Sequence, residues 1–498
     1  MKLTIMRRAL VAAIDQGTTG TRCAVFDSSG KMVGWAYKKH KQIYPQEKFV
    51  EHDPIEILNN VRFVLKQAVR NAKADPKEIA SIGITNQRET VVAWNKRSGK
   101  PFYNAIVWQD TRTDRYVSEI NQGKIASYIR KKTGLKISTY FSASKIRWLK
   151  DNNVKFREAL KTNEALVGNI DSWLIWNLTG GESFHTDYTN ASRMMLMDLE
   201  KRRWDSDLLD FFDIPEVSLP EIGTSLSKEG FGKLKEKGFQ NAVINSDLGD
   251  QQAALFGERC FSEGDTKITY GTGSFILQNV GKRVSKGETN LISTCAYGNV
   301  DGTCNYALEG STRVAGNIFG WLIDKANMFK SIEEIESYFD RKYESSVYFV
   351  PAFGGLLAPY WDASARGLII GLNDNSSKKD IVKAAYEAIC MQVSDIFDLL
   401  RPAKNEIKVD GGVSVNDDIM QMQADVLGRK LFRSDMREST VFGAAIAAGF
   451  SAGIWTFDDI KQFYRSGKLF YPEGNKEEIN KRKNYWKKAV ERSLSWLD

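Results

Sequence analysis

Several short segments of the sequence carry residue types suited to phosphate and hydroxyl chemistry. One is Asp15-Gln16-Gly17-Thr18-Thr19. The N–H groups and hydroxyls of a Gly-Thr turn can hold phosphate oxygens. A carboxylate beside them can hold Mg²⁺ through water, because that ion dehydrates reluctantly. The plainer reading is a polar hairpin turn. A second is Gly249-Asp250-Gln251-Gln252. A carboxylate at a helix start can face a cleft and take a proton, and amides beside it can bind hydroxyls. The plainer reading is a helix N-cap. A third, Asn86-Gln87-Arg88-Glu89-Thr90, follows the apolar run Ile79 to Thr85. Its Arg and Glu offer donors and acceptors at a strand end, where α/β proteins place ligands. A surface ion pair is the alternative. A fourth runs from Val409 through Gly411-Gly412 to Asn416. Its glycines let backbone approach a ligand closely, or simply turn a strand into a helix. Trp108, Tyr140, Phe141 and Phe275 could wall a substrate, although such rings more often fill a core.

Other chemistries are excluded. No Gly-Lys pair precedes Ser or Thr, so there is no Walker A loop, and there is no HRD or DFG segment. His40, His52 and His185 lack metal-ligand spacing, and Gly271 and Gly273 lack a third Gly in dinucleotide register.

The elements that must position these segments alternate between strand and helix. Leu10 to Ile14 and Thr21 to Asp27 read as strands around the Gly-Thr turn. Asp53 and Pro54 start a helix, with Glu56 expected to complete a capping box. Ile55, Leu58, Val61, Leu65, Ala68 and Ala72 form its expected apolar face. Ile79 to Thr85 is a buried strand. Lys267 to Val280 repeats the strand–Gly-Thr–strand pattern about half a chain later, which suggests a duplicated architecture. Ile381 to Leu400 reads as an amphipathic helix and Ile407 to Asp410 as a strand. Val413 to Leu427 is a loop and helix, and Val441 to Phe450 a small-residue helix able to pack closely on a sheet. The class is α/β. The expected domains are 1–255 and 256–498.

Composition agrees with large globular cores: 498 residues, 42% hydrophobic and 27% charged. The net charge of +8 is spread thinly, suiting a small anion and giving no sign of nucleic acid. Five cysteines with no CxxC pair point to a reducing, cytoplasmic setting. No run is long enough to span a membrane. Met1 to Arg8 reads as a basic arm before the first strand rather than a signal peptide, since Asp15 interrupts the apolar run.

Together the segments resemble the FGGY carbohydrate kinase family, and within it the members acting on glycerol. The resemblance covers Val11 to about Trp455. It rests on DQGTT at 15–19, GITNQRET at 83–90, YNAIVWQDTRT at 103–113 and YFSASKIRWL at 140–149. It continues through DYTNASRMML at 187–196, GDQQAALFG at 249–257, YGTGSFIL at 270–277 and YALEGS at 306–311. VPAFGGLLAPYWDASARG at 350–367 and VDGGVSVND at 409–417 complete it. The resemblance implies two actin-like, ribonuclease-H-like domains with the active site in the cleft between them. It implies glycerol held by Arg88, Glu89, Tyr140, Asp250 and Gln251, between walls at Trp108 and Phe275. Nucleotide contacts are implied at Thr18, Thr19, Arg22, Thr272, Gly316, Gly412 and Asn416. Asp250 is implied as general base, and Asp15 with Asp250 as the Mg²⁺ carboxylates. ATP, Mg²⁺, glycerol and a homo-oligomer (dimer or tetramer) follow as expected cofactors and partners. Another polyol or ketose kinase is the near alternative, and an actin- or Hsp70-like ATPase switch the distant one. Three departures stand out. Gly20 and Thr21 replace serines of many relatives, and Gly320 replaces a nucleotide-contacting Gln. The stretch Ser227 to Gly238 differs from the loop that binds fructose 1,6-bisphosphate in some bacterial members.

Overall fold

The apolar run at Leu10 pairs first with its own continuation. In the computed structural model, which describes residues 9–284, 290–436, 438–463 and 466–497, strands β1 (Leu10–Gln16) and β2 (Gly20–Phe26) form an antiparallel hairpin. The arm Met1 to Arg8 lies outside the described residues. β3 (Met32–Lys39) extends the hairpin, and helix α1 (Pro54–Asn71) packs on it. Asp53 caps α1 by accepting from the Ile55 N–H at 2.8 Å, with Pro54 at the first helical position. The expected capping box does not form. Glu56 instead accepts from the Lys41 N–H at 3.3 Å, tying the helix to the preceding loop. The buried face is Ile57, Leu58, Val61, Val64, Leu65, Ala68 and Val69. Ile55, expected there, is exposed. At 3.6 residues per turn it points roughly 110° away from the middle of that stripe.

β4 (Ile79–Asn86) joins parallel to β1. After a long insertion containing α2 (Ser142–Asn152), β5 (Val243–Gly249) joins parallel to β4. The sheet order is β5-β4-β1-β2-β3. Helix α3 (Asp250–Gly257) follows at once.

The second half repeats the plan. β6 (Thr266–Tyr270), β7 (Ser274–Gly281), β8 (Ile292–Gly298) and β9 (Cys304–Thr312) are antiparallel neighbours. Then come α4 (Lys378–Phe397), β10 (Ile407–Asp410), α5 (Asp417–Leu427), β11 (Leu431–Ser434), α6 (Ser439–Ser451) and β12 (Gly467–Phe470). The sheet runs β8-β9-β7-β6-β10-β11-β12. Its inner strands β9-β7-β6-β10-β11 have the order and directions of β3-β2-β1-β4-β5. This is the ribonuclease-H-like sheet built twice. Helix α4 starts before the expected Ile381 because Ser377 and Asp380 form a capping box, and it ends at Phe397 rather than Leu400.

The equivalent helices α3 and α6 follow the last parallel strand of each half and pack on one another, while α6 also lies on β1, β4 and β5. Small residues permit the close approach. A Cβ on Gly443 would strike the Ala253 carbonyl, and one on Gly257 the Ser439 carbonyl. Ser81 and Ser246 donate to the Ala448 and Ala444 carbonyls at 3.1 and 2.9 Å. The two halves therefore meet through backbone, which fixes the floor of the cleft.

Candidate active site

Parallel strands β1, β4 and β5 end together, with Asp15 beside Thr85 and Gly249 beside Asn86 in register. Asp15, Arg88 and Asp250 thereby reach one edge of the sheet. Asp250 is the first residue of α3, and Gly249 holds the N-cap position. The plain-cap reading of Asp250 therefore fails. Its Oδ1 accepts from the Gln251 N–H at 2.7 Å and lies 3.2 Å from Arg88 Nε, while the side chain stays 29% exposed. Burial raises its pKa above the usual aspartate range, against the pull of Arg88, the Gln251 amide and Lys267.

Asp15 is more deeply set. Burial pushes its pKa up to about 7; Arg22 opposes this, and Asp250 and Glu438 add to it. Arg22 faces Asp15 across the hairpin, with Nε 3.4 Å from Oδ2, and its Nη1 donates to Glu438 at 2.5 Å. Two carboxylates in mutual repulsion at a Gly-Thr turn have the charge to hold a hydrated divalent cation. Among the described residues no group of three or more ligands collects, so an ion here would take most of its ligands from phosphate and water. A stability prediction follows from the sign. An aspartate whose folded pKa lies above its unfolded value costs stability fully above pH 7, and the cost fades as pH falls toward 3.8. Asp15→Asn is expected to raise the melting temperature of the ligand-free protein at pH 8 and to raise it less at pH 5. A lower melting temperature at pH 8 would contradict this.

Arg88 and Glu89 are not a surface pair. Their side chains are 2% and 1% exposed. Arg88 Nη1 and Nη2 clamp Glu309 of β9 at 2.7 and 3.1 Å, and Nη1 also reaches Gln252 at 3.1 Å. Glu89 accepts from Arg193 Nε at 2.5 Å, and Arg193 bonds Glu309 in turn. The Arg193 guanidinium also lies against the Tyr140 and Phe141 rings. Glu89 has a backbone φ of +61°, in the left-handed region uncommon for a non-glycine residue. Sequence reasoning missed Arg193 and Glu309. Both lie inside the motifs quoted above, and a lone charge within an apolar run (the Glu of YALEGS) was the available signal.

Strand register puts Lys267, Thr269, Phe275, Glu309 and Ser311 on one face of the second sheet. Lys267, also missed, donates to Gln251 Oε1 at 2.8 Å and to Thr269 Oγ1 at 2.5 Å. This turns the Gln251 amide NH₂ away from the lysine. Trp108 and Tyr140 are half-buried and pack edge-on, ring centroids 5.4 Å apart. Phe275 is half-buried. Phe141 is fully buried and belongs to the core.

The two Gly-Thr turns both join antiparallel strands but close over different spans. Gly17 N–H donates to the Gly20 carbonyl at 3.0 Å, and Gly271 N–H to the Gly273 carbonyl at 2.8 Å. Thr19 and Thr272 are exposed; Thr18 donates no side-chain bond but accepts one from Trp108. Around the second turn, Ala315 N–H donates to the Thr272 carbonyl at 2.7 Å and Gly316 N–H to the Gly271 carbonyl at 3.1 Å. Gly411 has φ +92° and sits against Tyr270 backbone, which leaves Gly412 beside open space. Asn416 caps α5 by accepting from Ile419 N–H at 3.0 Å, which leaves its amide NH₂ available. The departures have structural counterparts. A Cβ on Gly20 would strike the Tyr37 ring, and Thr21 is fully buried, its hydroxyl without a partner among the described residues. Gly320 borders open space.

Known proteins share this architecture. The model of the FGGY family of carbohydrate kinases, N-terminal domain, matches residues 10–257, and its C-terminal domain counterpart matches 266–452. A glycerol kinase of Brucella anthropi is 44% identical, with 98% of this chain and 99% of that protein covered. A glycerol kinase of Clostridium botulinum is 43% identical over the same shares. The crystal structure of Plasmodium falciparum glycerol kinase with ADP aligns at a TM-score of 0.90 and 37% identity, covering 98% of each chain. A Lactobacillus acidophilus xylulose kinase, at 22% identity, shares the fold with a TM-score of 0.84 over 97% of each chain. With two family models spanning both sheets, and with relatives alike along nearly its whole length, the chain belongs to the FGGY family of carbohydrate kinases.

Proposed function

We propose that the chain phosphorylates glycerol from ATP, giving sn-glycerol 3-phosphate and ADP. The observation that carries the reading is the juxtaposition of a partly exposed carboxylate, Asp250, with the buried Arg88 and Glu89 and the phosphate turn at Asp15. The glycerol kinases similar along the whole chain support it. In this reading Arg88, Glu89, Tyr140, Asp250 and Gln251 hold the hydroxyls, and Trp108 and Phe275 cover the carbon backbone. Thr18, Thr19, Arg22, Thr272, Gly316, Gly412 and Asn416 hold the nucleotide.

Phosphoryl transfer asks mainly for positioning and charge stabilisation. The alcohol oxygen attacks the γ-phosphorus, and the bond from that phosphorus to the bridging oxygen breaks. The electron pair leaves with ADP. The alcohol proton passes to an Asp250 oxygen as the new bond forms, and Arg88 holds the other side of that carboxylate. Asp15 and Asp250 would hold Mg²⁺ through water, and the ion would neutralise phosphate charge. Closure of the cleft would exclude water as a competing acceptor.

The domain division proposed is 1–255 and 256–498, supported by the two sheets drawing strands from 10–249 and 266–470. Among the described residues no helix is long and apolar enough to cross a membrane. All five cysteines are free and buried, which supports a reducing, cytoplasmic setting. The assembly proposed is a homodimer or tetramer.

The fold alone does not choose the acceptor, since pentulose kinases share it. ADP release is the test, measured with Mg-ATP against glycerol, erythritol and a pentulose panel. Strong stimulation by glycerol alone is expected, with loss of turnover on chelating Mg²⁺. Equal ADP release without any polyol would sink the kinase reading, and preference for a pentulose would move the acceptor.

A further inference from the structure

His40 and His52 fit no metal-ligand spacing, and both are buried. Their rings pack edge-on with centroids 4.4 Å apart. His52 lies in a closed circuit of hydrogen bonds. Gln87 Nε2 donates to His52 Nδ1 at 3.2 Å. His52 Nε2 donates to Gln42 Oε1 at 2.9 Å. Gln42 Nε2 donates to the Thr18 carbonyl at 2.9 Å. Trp108 closes the other side: its indole Nε1 donates to Thr18 Oγ1 at 2.9 Å, and its backbone N–H to Thr90 Oγ1 at 3.3 Å. Thr90 Oγ1 donates to Gln87 Oε1 at 3.1 Å. Gln87 Nε2 also donates to Gln16 Oε1 at 3.0 Å.

Each bond of the circuit pairs a donor with an acceptor, and the circuit is consistent with one tautomer, a neutral His52 protonated at Nε2. Burial, with His40 close by, holds the His52 pKa down to about 3, so the ring keeps this form across the physiological range. The circuit joins two sites. Gln87 and Thr90 flank Arg88 and Glu89, and Trp108 is the proposed wall of the acceptor pocket. Thr18 is the turn proposed to hold nucleotide phosphate. A shift of Trp108 or of the 87–90 segment on acceptor binding must move Thr18 or break one of these bonds, the two to Thr18 being part-buried. A donor or acceptor left unpaired away from water carries a free-energy penalty.

We propose that Gln42 and His52 are positioning residues that lock the first phosphate turn to the acceptor pocket, so that glycerol and nucleotide bind cooperatively. The inference rests on the proposed acceptor and nucleotide sites. Neither residue touches a reacting atom; Gln42 bonds the Thr18 carbonyl, and His52 acts through Gln42 and Gln87.

The test is a calorimetric binding cycle on the whole chain. It measures the dissociation constant of a non-hydrolysable ATP analogue with Mg²⁺, with and without saturating glycerol. In the wild type, glycerol is expected to tighten the analogue about tenfold, within the ordinary range of coupling between sites, and the analogue to tighten glycerol by the same factor. Gln42→Met keeps the volume of a half-buried side chain and removes both of its bonds. It is expected to bring the factor below about twofold. Its affinity for glycerol alone should stay within about threefold of wild type, since Gln42 makes no acceptor contact. His52→Phe is expected to uncouple in the same way, and Gln42→Met decides the matter if that variant melts early. A merely structural role would weaken both ligands and leave the factor intact. That result, or a wild-type factor of one, overturns the proposal. A wild type that binds the analogue and shows no glycerol binding at all fails on the acceptor itself, which distinguishes failure of the proposed function from failure of the coupling.

Discussion

Asp250→Asn is expected to cut glycerol-dependent turnover about 1,000-fold while leaving the fold and glycerol affinity close to wild type. The asymmetry follows from how the side chain is held. One oxygen, Oδ1, makes the contacts that fix its position, accepting from the Gln251 N–H and lying against Arg88 Nε. An asparagine oxygen can keep both. The amide NH₂ that replaces the second oxygen cannot take a proton from an alcohol. The loss should therefore fall on kcat, with KM for glycerol within about threefold. The pH profile adds an independent reading. Burial raises the Asp250 pKa, so the wild-type kcat/KM should fall on acidification through a pKa above the usual aspartate range. That acid limb should vanish in the variant. A variant that retains more than about a tenth of wild-type turnover removes Asp250 from the proton-accepting role.

The elements that carry these residues were legible because their signals are local. β1 and β4 announce themselves as short apolar runs, and Asp53-Pro54 marks a helix start whatever packs on it. The paired Gly-Thr turns anticipated the duplicated sheet, because the turn and its two strands are contiguous in each half. The small-residue stretch at 441–450 likewise anticipated close packing, which α6 makes against α3. Local signals misled where a competing partner existed. Glu56 could close a capping box, but the Lys41 N–H is within its reach. Ile55 matched a hydrophobic spacing, but helical phase is set by the whole stripe.

Long-range charge pairing was not legible at all. Arg88 meets Glu309 across 221 positions, and Arg193 meets Glu89 across 104. No spacing rule reaches that far. His52 escaped for a different reason. Histidines were tested for metal spacing, whereas this one serves as a neutral relay between two amides, a role set by tertiary burial. The residues lining the cleft were readable one by one, and the charges and relays that hold them became visible only in the tertiary structure.

That hidden layer carries the larger stability effect. Glu309 is 1% exposed and serves two buried guanidiniums, accepting from Arg88 at 2.7 and 3.1 Å and from Arg193 at 3.1 and 3.3 Å. Burial alone would raise its pKa, but Arg193 and Arg88 overcome that and hold it down to about 2. Glu309→Gln keeps the shape and leaves both cations facing a neutral amide. Breaking a buried pair in this way costs on the order of 3–5 kcal/mol. Against the 5–15 kcal/mol that holds a typical domain together, the loss is severe, and urea unfolding at pH 7 should show it directly. The pH dependence has a definite sign. A carboxylate whose folded pKa is depressed stabilises fully above its unfolded value of 4.5, and loses that contribution as pH falls toward about 2. The gap between wild type and Glu309→Gln should therefore be widest at neutral pH and close progressively below pH 4.5. Only the gap isolates this residue, because burial raises the pKa of Asp15, Glu89 and Asp171 and so works in the opposite direction. Catalysis should respond as well. With Glu309 neutral, Arg88 has only Glu89 and Asp250 as carboxylate partners, so the acid limb of kcat/KM should move to lower pH. A stability gap under about 1 kcal/mol at pH 7, or one that stays constant down to pH 2, would show that the two arginines find other partners and that Glu309 does not anchor the acceptor pocket.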